Sequence, residues 1–350
     1  MDLFNAGSIG RKKILIIELS RLGDVVCGLP AIGVLRDAFP AFEISVLVEP
    51  CYRELLINDP RIDKILSFER TNTLLGLLKA IFNVRKKEYG LVVSLSPSKR
   101  NALIAYFSKA RNKVGYFTLK PKFPGLARAK VTSFGFNLER DLYYKNGENL
   151  VERALKPVRC LGVTIGSAKK RIYISKNDEA YVSAHISGLR NNTLMAAVHP
   201  CSNWKYRDWP KESYIELINS LEGFDFFLLG AEKDAHVLNE IVSKTGNRAN
   251  LFIGMPILRA AALIGRSDLF IGSDSGLMHI ADSLNVPIVG LFGPSHPDST
   301  GPLNSNVSLI QRDFSCSPCG QKGVCHKTPR CMELISVAEV LETVKKRIKH

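Results

Sequence analysis

The sequence predicts an α/β protein made of two halves, each built on a parallel sheet. Two alternations of strand and helix carry that prediction, one on either side of a Gly-, Ser- and Lys-rich stretch around residues 161–170. The strands read as near-continuous apolar runs, as parallel strands covered on both faces do. The third observation is size: 350 residues, 45% of them hydrophobic, suffice for two cores. Two Rossmann-like domains are therefore expected, over 1–167 and 168–350, with the last helix a candidate to pack back on the N-terminal half.

In the first half, Lys13 to Leu19 is the first strand, an apolar run interrupted by Glu18. Ser20 to Asp24 follows as a loop, and a helix runs from Pro30, a residue suited to a first helical turn, to Phe39. Glu43 to Val48 is the second strand, Leu74 to Arg85 a helix, and Leu91 to Leu95 a third apolar segment. The stretch from Ser98 to Lys130 differs. It holds Lys99, Arg100, Lys109, Arg111, Lys113, Lys120, Lys122, Arg128 and Lys130 without one acid, and basic, partly irregular loops are expected there.

The second half repeats the alternation. Strands are expected at Met195 to His199, Phe224 to Leu229, Leu251 to Ile253, Asp268 to Gly272 and Pro287 to Phe292. Helices are expected at Lys211 to Leu221, Ala231 to Lys244, Ile257 to Ile264, Leu277 to Leu284 and Val337 to Ile348. Two such sheets in tandem imply a cleft, with ligands at the carboxyl ends of strands, where helices present their amino termini.

Lysine and arginine number 48 against 33 acids, a formal net charge of +15. That excess implies an anionic partner: phosphate, nucleic acid or an anionic lipid surface. The N-terminus lacks a basic segment followed by an apolar run, and the apolar stretch Leu74 to Val84 is too short to span a bilayer. A soluble cytoplasmic protein is the expectation. In a reducing compartment the scattered Cys27, Cys51, Cys160 and Cys201 are most simply free thiols.

Chemistry concentrates at strand ends. Ser273-Asp274-Ser275-Gly276-Leu277-Met278-His279 joins a buried-type strand to a helix. Free N–H groups at such a terminus suit a phosphate, Gly276 admits close approach and His279 could add a donor; Asp274 also suits a simple cap, and His279 a packed side chain. Asp24, after the first strand, suits either a general base or a cap. Ser202, Asn203, Lys205 and Arg207 lie in a loop with both tryptophans, where a cation could neutralise a diphosphate. Glu232 follows Gly230 and could accept from ribose hydroxyls, or merely favour a helix start. A Gly-x-Gly-x-x-Gly after the first strand and a Gly-Lys-Ser/Thr are both missing, which argues against a simple dinucleotide oxidoreductase and a P-loop. Cys316, Cys319, Cys325 and Cys331 are compact enough in sequence for a structural zinc, and equally consistent with thiols or disulfides.

Taken in order, these pieces resemble glycosyltransferase family 9, the lipopolysaccharide heptosyltransferases. The matching segments are Leu19 to Val26 with Leu29-Pro30; His199-Pro200 through Arg207-Asp208-Trp209-Pro210; Leu229-Gly230-Ala231-Glu232; Asp274 to His279; and Leu291-Phe292-Gly293-Pro294. The resemblance implies a GT-B architecture, an acceptor domain followed by a nucleotide-sugar domain, and inverting transfer without a metal or other cofactor for chemistry. It implies Asp24 as general base, Asp274, Ser275, Gly276 and His279 as the donor motif, and Glu232 as the acid holding the nucleoside. Ser202 and Asn203 would line the phosphates, and Arg207 stands where well-known members carry lysine. The implied donor is ADP-heptose and the implied acceptor the inner core of a lipopolysaccharide precursor, a lipid-anchored anionic saccharide. The basic stretch, with Arg21, Lys99, Arg100 and Lys113 as acceptor-binding candidates, fits that acceptor and peripheral association with the cytoplasmic membrane. Clusters like the four cysteines occur in some members, which keeps structural zinc a candidate.

The alternatives are a transferase of the same fold using another nucleotide-sugar, and a non-catalytic sugar-nucleotide binder. A nucleic-acid-binding protein is the third; no recognised nucleic-acid module is present to support it, and nucleic acid is not the expected partner.

Overall fold

A computed structural model describes residues 11–68, 74–116, 148–166, 169–189, 194–246, 248–312, 314, 316–317, 319 and 325–348. The chain divides into two compact units, Met1–Tyr173 and Ile174–His350. The expected α/β class with two parallel sheets is what the structure has.

The first unit runs β1 (Lys13–Ile17), α1 (Leu22–Ala38), β2 (Glu43–Val48), α2 (Arg53–Leu56), β3 (Lys64–Ser67), α3 (Leu74–Arg85), β4 (Leu91–Ser94), α4 (Lys99–Phe107), β5 (Asn112–Val114) and α5 (Leu150–Arg159). Its five strands lie in the order β3-β2-β1-β4-β5, all parallel. Ile14 pairs with Ile44 on one side and Leu91 on the other, and Ile14 to Ile17 are fully buried. That two-sided burial is why these strands carry no alternating pattern. The chain leaves β1 toward β2 and β3, then returns to add β4 on the opposite side. The crevice between the carboxyl ends of β1 and β4 is thus the switch point of this sheet.

Three expectations change here. The first helix begins at Leu22, not Pro30, so Asp24 lies in its first turn rather than on a loop. The backbone N–H of Arg21 donates to the Asp24 carboxylate at 3.2 Å, which starts the helix early. Val25 through Ile32 are all buried, leaving no polar face and hence no helical period to detect. The basic stretch after Ser98 is not loop throughout: Ser98 caps α4 by accepting from Asn101 N–H, and β5 follows. Lys120, Lys122, Arg128 and Lys130 lie outside the described residues.

The second unit runs α6 (Lys176–Ile186), β6 (Leu194–His199), α7 (Lys211–Ser220), β7 (Phe224–Gly230), α8 (Ala235–Lys244), β8 (Ala249–Ile253), α9 (Ile257–Gly265), β9 (Leu269–Ser273), α10 (Gly276–Ser283), β10 (Ile288–Phe292), α11 (Pro297–Thr300), β11 (Val307–Gln311) and α12 (Val337–Ile348). Six parallel strands lie in the order β11-β10-β9-β6-β7-β8. The switch point falls between β6 and β9. Trp209, Tyr214, Phe226, Val340 and Val344 belong to the core, and the Trp209 indole N–H donates to the Ile335 carbonyl at 2.9 Å. The last helix packs on α7, β10 and β11 of this unit. Among the described residues no helix is long and apolar enough to cross a membrane.

Candidate active site

The first unit gathers a polar cluster at its switch point. Glu18, just past β1, is 3% exposed and accepts from Ser20 N–H at 3.1 Å and the Ser96 hydroxyl at 2.9 Å. Ser20 donates to the same Ser96 oxygen at 2.9 Å, and the Asn101 amide reaches it at 3.3 Å from α4. Burial first, then the neighbouring Asp24 charge, pushes the Glu18 carboxyl up to about 7, against the opposing pull of Arg153 and the two hydroxyl-bearing neighbours. Asp24 itself pairs with Arg153 of α5, whose side chain is 10% exposed. Arg21, the cap of α1, donates its backbone N–H to Asp24. The cluster therefore holds one ionised pair beside one carboxyl balanced near neutrality.

Glu18 and Arg153 were not among the expected site residues. An acid inside an otherwise apolar strand run was the visible signal for Glu18. Arg153 gave none, because only the fold brings α5 against α1 and so the guanidinium to Asp24.

The second unit builds its cluster at the ends of β6 and β9. Asp274, 4% exposed, pairs with Arg207 at 3.1 Å and accepts from the Thr300 hydroxyl at 2.9 Å. Arg207 also donates to the Asp274 carbonyl at 3.4 Å. Ser275 caps α10, accepting from Met278 N–H, and its hydroxyl lies 3.1 Å from His199 Nδ1. Burial, with Lys233 nearby, pushes the His199 imidazole down to about 4, so it is neutral at physiological pH. A Cβ on Gly272 would stand 3.0 Å from the His199 carbonyl oxygen, so glycine allows the close approach of β9 to β6 at this end. Gly276 opens α10, and His279 is buried one turn in, at 2% exposure.

The remaining candidates follow β6 and its neighbour β7. Asp208 accepts from Ser202 N–H at 2.7 Å, while the Ser202 hydroxyl donates to the Trp204 carbonyl at 2.8 Å. The Asn203 amide oxygen accepts from Lys233 at 3.0 Å. Glu232 is exposed just after β7, and its carboxylate oxygen occupies the space over Gly254, within 2.2 Å of where a Cβ would be. His199, Lys233 and Thr300 join residues that the sequence had already singled out. His199 stood in a strand-end motif; the other two offered no signal.

The acceptor candidates are dispersed over the first unit. Lys99 and Arg100 open α4, the Arg100 guanidinium sitting 5.7 Å from the Phe68 ring centre. Lys113, on β5, donates to the Ala110 carbonyl at 2.8 Å, and burial lowers its ammonium's pKa.

Cys316, Cys319, Cys325 and Cys331 line one cavity of about 310 Å³ with Trp204 and Tyr206. All four are free thiols. Burial, reinforced by the other three, pushes the Cys319 thiol up to about 11. Among the described residues no three histidine, cysteine or acidic side chains are placed to hold a metal ion.

The sequence profile of glycosyltransferase family 9 (heptosyltransferase) matches residues 77–328. The chain is 23% identical over 304 residues to the lipopolysaccharide core heptosyltransferase OpsX of Haemophilus influenzae, covering 85% of this chain and 84% of that protein. A family 9 glycosyltransferase structure from Veillonella parvula superposes with a TM-score of 0.80 at 21% identity, over 98% of each chain. The ADP-heptose lipopolysaccharide heptosyltransferase II structure from Escherichia coli gives a TM-score of 0.73 at 23% identity, over 96% of this chain and 98% of that one. These structures share the fold, which is of the GT-B class. With most of its length matched by the family profile, the chain belongs to glycosyltransferase family 9 and is a glycosyltransferase.

Proposed function

We propose that the protein transfers a heptose, with inversion, from ADP-heptose to the inner core of a lipopolysaccharide precursor on the cytoplasmic face of a membrane. The observation that carries this reading is the cluster at the β6/β9 switch point: Arg207, Asp274 and Thr300 beside the capped amino terminus of α10. The names of the H. influenzae and E. coli relatives supply the heptose, the nucleotide and the lipopolysaccharide acceptor.

In this reading Asp24 accepts the proton of an acceptor hydroxyl as that oxygen bonds to the anomeric carbon. The bond from that carbon to the distal phosphate oxygen breaks, and ADP departs. Arg153 holds the Asp24 carboxylate in one orientation, and Glu18 beside it limits the negative charge collected at the switch point by being partly protonated near neutral pH. Asp274 aims the Arg207 fork, a group suited to two phosphate oxygens at once. The N–H groups opening α10 add partial positive charge where the leaving phosphate gains negative charge. Glu232, whose carboxylate lies over Gly254, is the acceptor for ribose hydroxyls in this reading.

Calorimetric titration with ADP, against UDP, GDP and NAD, tests the donor. The expected result is a preference for ADP that Asp274→Ala abolishes. A preference for UDP or GDP would keep the transferase and discard ADP-heptose; silence toward every nucleotide would leave a protein that does not bind donors in this way.

A further inference from the structure

We infer that α3 is a docking helix that lays its outer face on an anionic bilayer surface. The helix is apolar on two sides. Leu77, Ala80, Ile81 and Val84 pack into the core of the first unit. Leu74, Leu75, Leu78 and Phe82 point the other way and are 71, 78, 51 and 56% exposed. At 100° per residue those four fall within one arc of about 100°, a continuous stripe rather than scattered surface leucines. The neighbouring α4, which packs against α3, adds exposed Tyr106 and Phe107. A contiguous apolar face of this kind on a folded chain marks an interaction site.

The charges around the stripe select its occupant. Lys79, Arg85 and Lys86 are exposed on or just beyond α3, and Lys109 and Arg111 are exposed after α4. Between Leu74 and Arg111 the sequence has one acid, Glu88, and it is paired with Arg11. The Lys86 ammonium lies 4.3 Å from the centre of the Phe82 ring, a cation set against the stripe itself. A second copy of this chain would bring the same basic rim face to face with itself, so like charges oppose self-association. An anionic leaflet offers the complement: headgroups for the cations and acyl chains for the stripe. Twelve residues cannot cross a bilayer, but they can lie in its interface. The inference deepens the proposed function, which gives the protein a reason to work at a leaflet. Its observations stand apart from those that indicate the donor.

Flotation of the full-length protein with phosphatidylglycerol-rich and pure phosphatidylcholine vesicles tests it. The wild type is expected to float with the anionic vesicles, more weakly as salt is raised, and to remain below with the neutral ones. Changing Leu75, Leu78 and Phe82 together to Ser is expected to cut the floated fraction by about tenfold or more, with ADP affinity unchanged. Changing Lys79, Arg85 and Lys86 to Gln should remove most of the salt dependence while leaving the core face untouched. Wild-type protein that ignores anionic vesicles, or a triple Ser variant that floats like the wild type, would overturn the inference. A wild-type dimer that the Ser variant converts to monomer, without vesicle binding, would assign the stripe to a second copy instead. Vesicle binding by a protein that binds no nucleotide would uphold the docking helix and sink the proposed donor.

Discussion

At the residue scale, Asp24 and Arg153 serve stability and chemistry at once, and the two can be separated. Removing either partner leaves the other's charge largely out of water, at a cost on the order of 3 kcal/mol. Asp24→Asn and Arg153→Met are each expected to lower stability, and the double variant to recover much of the loss. Turnover should not follow: every variant lacking the Asp24 carboxylate should lose on the order of 100-fold or more in kcat. Urea unfolding and transfer assays on the four proteins check this. Turnover restored in the double variant would show that Asp24 acts through structure alone. Glu18 has a different signature. Its folded pKa, about 7, stands above the ordinary 4.5, so the fold favours the protonated form. Its contribution to stability is therefore complete below about pH 4.5 and lost as pH rises through about 7. Glu18→Gln, which mimics the neutral acid, should match the wild type near pH 5 and exceed it near pH 8 by up to about 3 kcal/mol. Parallel stability curves across that interval would refute the shifted carboxyl.

At the element scale, Gly230 and Gly254 close adjacent strands, β7 and β8, and the bare α-carbon of Gly254 leaves the room that the Glu232 carboxylate occupies. Gly254 has φ of +63° and faces the Glu232 carboxylate oxygen at 2.2 Å from a Cβ position. Gly223 has φ of +76° but nothing within 4 Å. Ala at either position incurs similar backbone strain, about 1 kcal/mol. Only Gly254→Ala displaces Glu232, so it alone should weaken ADP binding, by about tenfold. Calorimetry of both variants checks this; equal loss in the two would mean that Glu232 does not hold the nucleoside. The same scale shows where sequence patterns carry information. The buried strands β1, β4, β6, β7 and β9 are plain apolar runs, legible without any structure. The start of α1 was hidden because both its faces are buried, and α4 was masked by cations that sit on its exposed side. The edge strands β3 and β11 are half-exposed and short, with neither an apolar run nor a clean alternation.

At the scale of the whole molecule, the same topology appears twice, and each copy places its polar cluster where its strand order reverses. That rule explains why the candidate site could be partly read from sequence. Asp274, Ser275 and Glu232 follow strand ends directly and Asp24 opens the helix after β1, so locating the strands located them. Arg153 and Thr300 come from distant elements, α5 and α11, and only folding brings them to Asp24 and Asp274. Every residue proposed above for the donor, from His199 to Thr300, lies within Ile174–His350, and that unit has its own core, closed by α12 through Val340 and Val344. The proposed donor site should therefore be separable from the first unit. A fragment spanning residues 174–350 is expected to fold with the helical and strand content of its part of the whole and to bind ADP within about tenfold of the full chain. Circular dichroism and calorimetry read the two properties independently. A folded fragment that fails to bind, beside a full chain that does, would mean that residues of the first unit help to hold the nucleotide. An unfolded fragment would instead show that the second core depends on the first, and would contradict the autonomy that its buried residues imply.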